Sequence, residues 1–77
     1  MRLLLALVER AQVALARGDR AGAQDALATL GDRLQREPDD LERATLIERV
    51  GAAFLHPSAT ELGRLRRLLD ARMNCVR

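Results

Sequence analysis

His56 and Cys75 are the two side chains in this chain best suited to proton transfer or nucleophilic attack near neutral pH, and Tyr and Trp are absent. A histidine and a cysteine become a catalytic pair only when the fold brings them together. These two fall on different expected elements. His56 directly precedes Pro57, where an imidazole is favoured by the negative end of a helix dipole. Cys75 reads as a small apolar residue near the end of the last helix. With no Gly-rich phosphate loop following a strand, the sequence points to no catalytic set, no metal site and no cofactor. A single cysteine excludes an intrachain disulfide and fits a reducing cytoplasm.

The remaining chemistry is cationic. All thirteen basic residues are Arg, set against eleven acids for a formal charge of +2. That balance is small and the acids are interspersed, unlike a typical nucleic-acid-binding domain. The C-terminal third is locally basic through Arg64, Arg66, Arg67, Arg72 and Arg77, with Arg64 and Arg67 off the apolar stripe of their helix. Three readings follow: a solvated face, a contact for an acidic protein partner, or the recognition helix of a helix-turn-helix entering a major groove. The last is disfavoured. Its early exposed positions carry Ala59, Thr60 and Glu61 rather than Asn or Gln, and the turn holds Pro where that motif more often has Gly. Arg17-Gly18-Asp19 is a tripeptide that integrins read in extracellular ligands, but a tight interhelical turn accounts for all three residues.

That turn organises the elements. Gly18 suits the left-handed position that ends a helix, and Asp19 suits the N-cap of the next. Apolar residues at Leu4, Val8, Ala11 and Leu15 before it, and at Ala23, Leu27, Leu30 and Leu34 after it, step by four, three and four. Each set forms one stripe on one helix face, so the two helices must fold back on each other. The spacing predicts a first helix over 2–17 and a second over 20–36. The second runs through Gly22 and Gly31, each costing about 1 kcal/mol relative to Ala, a loss that close approach of a neighbouring backbone would recover. Pro38 breaks the chain, and Asp39 with Glu42 has capping-box spacing. A third helix over 40–55 then places Leu46, Ile47, Val50, Ala53 and Phe54 on one face. Ser58 with Glu61 forms a second capping box, opening a fourth helix over 59–75 that buries Leu62, Leu65, Leu69, Met73 and Val76.

A chain of 77 residues with one aromatic, Phe54, builds a thin aliphatic core, since a domain of this size buries only roughly 60% of its unfolded surface. A protein partner or a second copy would supply further burial, as a homo-oligomer or a hetero-complex. Leu5 and Val13 project away from the main stripe of the first helix. Together with Leu3 and with Leu68 at the margin of the fourth helix, they are the expected partner-binding residues. Met1 to Val8 imitates a signal-peptide opening, but its apolar run is six residues long before Glu9 and Arg10 interrupt it. It reads as part of a retained helix, and no stretch is long enough to span a membrane.

The segment from Ala11 to Pro38 resembles a tetratricopeptide-type hairpin. Gly18-Asp19 stands at the interhelical turn of that repeat, Ala23, Leu27 and Leu30 stand at its packing positions, and Pro38 closes the unit about three residues late. The aromatic positions of the repeat are not met, and Leu30 stands where a small residue is usual. A chain of this size, rich in Arg and Ala and carrying one such hairpin, also resembles the small helical chaperones of type III secretion systems, which hold needle or translocator subunits in the bacterial cytoplasm. That resemblance implies a groove for an amphipathic client helix and carries over no individual residue. The expected fold is all-α, two helical hairpins packed as a small four-helix array. The expected function is a cytoplasmic protein-binding module (chaperone, adaptor or antiactivator), with a helix-turn-helix regulator using Arg64, Arg66 and Arg67 as the alternative.

Overall fold

The structure, a computed structural model, describes residues 2–37 and 41–75, with side chains described for 3–37 and 43–71. Four helices follow one another: α1 (Arg2–Ala16), α2 (Arg20–Gln35), α3 (Leu41–Leu55) and α4 (Ala59–Cys75). α1 packs on α2, α2 on α3 and α3 on α4, and α4 returns to α1. Among the described residues the backbones of α1 and α3, and those of α2 and α4, do not come within 8 Å of each other between Cα atoms, so the helices form a closed ring around a shared core. The molecule measures 36 × 19 × 18 Å. Helices of this length span about 24 Å.

The first turn is built as its residue types require. Gly18 has a φ of +77°, the left-handed region where a Cβ would clash. Its N–H donates to the Leu15 carbonyl at 3.0 Å, and the Asp19 N–H donates to the Ala14 carbonyl at 2.8 Å. Those are the two bonds of a Schellman motif, and they occupy carbonyls that the end of α1 would otherwise leave unpaired. The Asp19 carboxylate then accepts from the Gly22 N–H at 2.9 Å, capping α2 one residue after α1 has been closed. A Cβ on Gly22 would run into that carboxylate.

The second turn is capped on one side only. Ser58 Oγ accepts from the Glu61 N–H at 3.2 Å. The Glu61 carboxylate, which a full capping box would return to the Ser58 N–H, instead faces Arg64 at 3.6 Å. The third candidate cap, Asp39 with Glu42, lies outside the residues whose side chains are described.

The two hairpins are joined by reciprocal capping between α2 and α3. Gln24 Nε2 donates to the Phe54 carbonyl at 2.9 Å and Arg20 Nη2 reaches the Leu55 carbonyl at 3.5 Å. At the other end Arg43 Nη1 donates to the Gln35 carbonyl at 3.2 Å. Each helix thus supplies donors to the last carbonyls of its neighbour, the groups a helix cannot satisfy itself.

The core is Leu, Val and Ala throughout. Leu4, Leu7, Val8 and Ala11 of α1 meet Ala23, Ala26, Leu27, Leu30 and Leu34 of α2, with Leu46, Val50 and Ala53 of α3 and Leu62, Leu65 and Leu69 of α4 completing it. No polar or charged residue is buried among the described residues. Met73 and Val76, expected in this core, lie outside the described side chains, as does Cys75. Phe54 departs from expectation: it is 38% exposed rather than buried. The buried residues of α3 follow a narrow stripe of 46, 50 and 53, and Phe54 and Ile47 sit about 100° off it, at the margin that faces outward between α2 and α3. Gly31 differs as well. No backbone crowds it, and a Cβ there would meet only the Val50 side chain at 3.6 Å, an ordinary contact.

Candidate functional site

Each of the four seams of the ring has its own chemistry. The α1–α4 seam is closed by Arg66, which pairs with Glu9 at 3.3 Å and donates to Gln12 Oε1 at 3.3 Å. Leu5 lies on the same stripe of α1 as Glu9 and Gln12, one turn earlier, and is half-buried against the core. Its expected place on an outward binding face is therefore corrected. α4 covers that flank of α1.

The α1–α2 seam holds Arg10, Val13, Ala14 and Arg17 together with Asp19 and Asp25 near the turn. Leu3 and Leu4 lie beside Arg33, Arg36 and Glu37 at the other end. Val13 and Leu3 are exposed, at 51% and 47%. Acids and arginines are mixed at both ends.

The α2–α3 seam is a shallow groove of about 340 Å³. The buried Leu27 and Val50 form its base with Gly31, while Ala28 and Gly51 leave its rims without bulk. The half-buried Ile47 and the exposed Phe54 stand along it, and Asp32 and Gln35 close one end. Leu55, at 65% the most exposed large hydrophobic among the described residues, follows Phe54 at the end of α3.

The α3–α4 seam is lined by Thr45 and Arg49 from α3 and by Arg64, Arg67 and Leu68 from α4. Leu68 is 36% exposed. Arg67 Nε donates to the Gly63 carbonyl of its own helix at 3.4 Å, and the exposed Arg64 pairs with the half-buried Glu61 of the same helix at 3.6 Å.

The structure thus separates residues that the sequence grouped. Leu3 and Val13 border opposite ends of the α1–α2 seam, Leu68 the α3–α4 seam, and Leu5 is half-buried against the core, so the four expected partner-binding residues do not form one surface. The arginines divide too: Arg66 turns to α1, whereas Arg64 and Arg67 turn to α3. Sequence reasoning missed the groove residues Ile47, Phe54 and Gly51, and it missed Arg49. The signal for the first group was present. The apolar stripe of α3 is wider than one buried face needs, and Gly and Ala stand where larger residues would fill the seam.

His56 is exposed just beyond the end of α3, and α4 ends at Cys75. Among the described residues no three His, Cys, Asp or Glu side chains converge, and no helix is long and apolar enough to cross a membrane. No family model, curated protein or solved structure matches this chain.

Proposed function

We propose that this protein is a small cytoplasmic protein-binding module, of chaperone, adaptor or antiactivator kind, that receives an amphipathic helix of a partner in the α2–α3 groove. The observation that carries this reading is the contrast within that groove: Phe54 stands exposed beside positions 28, 31 and 51, which carry no side chain larger than a methyl group. A helix brought against such a surface approaches closely and covers Ile47 and Phe54, the arrangement of helix-in-groove recognition. Burying an aromatic ring and a branched aliphatic there contributes on the order of 2–4 kcal/mol before ordering costs. A thin core and a resemblance to small secretion chaperones point the same way. The partner is a second protein or a second copy of this chain.

The test is photocrosslinking in the native host, with a benzophenone amino acid in place of Phe54. One dominant adduct is expected, lost when Gly31→Leu fills the groove and absent when the same probe replaces the exposed Asp70 of α4. An adduct of twice the chain mass identifies the partner as a second copy. The same diffuse adducts from both positions, or none, would reject the groove as a binding site.

A further inference from the structure

Most described arginines outside the α3–α4 seam have work within the fold or an acid beside them. Arg36 pairs with Asp32 at 3.3 Å, and Arg66 with Glu9. Arg20 and Arg43 donate to carbonyls at helix ends. Arg10 and Arg17 share their groove with Asp19 and Asp25, and Arg33 shares its own with Glu37. The α3–α4 groove is different. Arg49, Arg64 and Arg67 line it together, no carboxylate lines it with them among the described residues, and Glu61 of the same helix pairs with Arg64 at 3.6 Å. Arg49 has no hydrogen-bond or ion-pair partner among the described residues. Arg49 lines the groove from α3 and Arg64 and Arg67 line it from α4, so like charges meet at a seam that also exposes the apolar Leu68. Guanidinium groups so placed match carboxylates, which they bind as planar forks.

We propose that the α3–α4 groove binds an acidic amphipathic segment of a protein partner, with an apolar side chain seated on Leu68 and carboxylates paired to Arg49, Arg64 and Arg67. The presence of Leu68 among the three cations favours a peptide over a nucleic acid, because a phosphodiester backbone has nothing apolar to cover it. This surface lies on the opposite flank of α3 from the groove containing Phe54, so it stands whether or not that groove holds a helix.

The probe is a synthetic helical peptide of ~18 residues, about five turns, with a leucine stripe flanked by Glu. It is compared with the same peptide carrying Gln for every Glu, and with a short DNA duplex. Amide-resolved NMR titration of the full chain gives both location and affinity. The Glu peptide is expected to shift the amides of Thr45, Arg49, Arg64, Arg67 and Leu68, and the Gln peptide to bind about tenfold more weakly. Arg49→Glu and Arg64→Glu should each weaken binding by a similar factor, with Arg49→Gln as a milder second variant and circular dichroism to show that each remains folded. Leu68→Ser should weaken it several-fold, while Arg36→Glu leaves it unchanged. Added salt should weaken it as well. Shifts that map elsewhere, equal binding of the two peptides, no saturable binding, or tighter binding of the duplex would each overturn the proposal. Saturable peptide binding that maps to these amides, alongside a failed crosslink at Phe54, would separate this surface from the α2–α3 reading.

Discussion

The two hairpins of this molecule are made from similar residues and finished to different degrees. In the α1–α2 hairpin the turn satisfies both helices within two residues, Gly18 closing α1 and Asp19 opening α2. Every large residue of the α2 stripe is fully buried. In the α3–α4 hairpin the cap is single, Phe54, Leu55 and Leu68 remain exposed, and three arginines converge on one groove. The first hairpin leaves Leu3 and Val13 exposed, but at opposite ends of its seam and among mixed charges. The second leaves surface uncovered on both flanks of α3, where a partner has something to bind.

The largest test of this contrast is a pair of truncations. Leu27→Ala opens a cavity at the centre of the ring and is expected to cost about 2–5 kcal/mol. That is a large fraction of the roughly 4–12 kcal/mol available to a chain of this size. Leu68→Ala, on the exposed seam, should cost less than about 0.5 kcal/mol. Urea denaturation of both variants decides it, and comparable losses would show Leu68 to be core and the contrast false. The turns give a smaller difference. Gly18→Val forces a β-branched residue into the left-handed region at about 1–2 kcal/mol or more. Ser58→Ala removes one hydrogen bond at about 1 kcal/mol and should speed amide exchange in the first turn of α4 alone. A melting temperature unchanged by Gly18→Val would refute the turn.

How much of this was legible in the sequence follows the same division. Gly18, Asp19 and Ser58 announce their bonds because a turn is decided by local sterics and by donors a few residues apart. The stripe from Ala23 to Leu34 announces a buried face because helix periodicity is itself local. Leu5 could not be placed that way. Whether the flank of α1 carrying it is covered depends on α4 returning some sixty residues later to set Arg66 against Glu9 and Gln12. Phe54 was misplaced for a related reason: a stripe of five apolar residues on α3 does not say which two form its margin. The convergence of Arg49 with Arg64 and Arg67 is likewise a property of pairing across a seam, invisible until the register of α3 against α4 is known.

The finest comparison sets two glycines of α2 against each other, one at the first turn and one on the seam between the hairpins. Both lie inside a helix, where Ala is favoured over Gly by about 1 kcal/mol. At Gly22 a Cβ would displace the Asp19 carboxylate from the N–H it caps, so the propensity gained is offset by a lost cap of about 0.5–2 kcal/mol. At Gly31 a Cβ meets only Val50 at ordinary contact distance, and nothing opposes the gain. Gly31→Ala is therefore expected to stabilise the fold by up to about 1 kcal/mol, and Gly22→Ala to leave it unchanged or weaker, as read by urea midpoints at constant slope. A glycine that costs stability without being needed for packing invites a functional reason. If the α2–α3 groove receives a helix, Gly31→Ala should weaken crosslinking from position 54 even as it raises the midpoint, because the added methyl stands where the partner backbone approaches. A Gly31→Ala variant that is more stable and crosslinks as well as the parent would leave the groove without a use for its missing side chain.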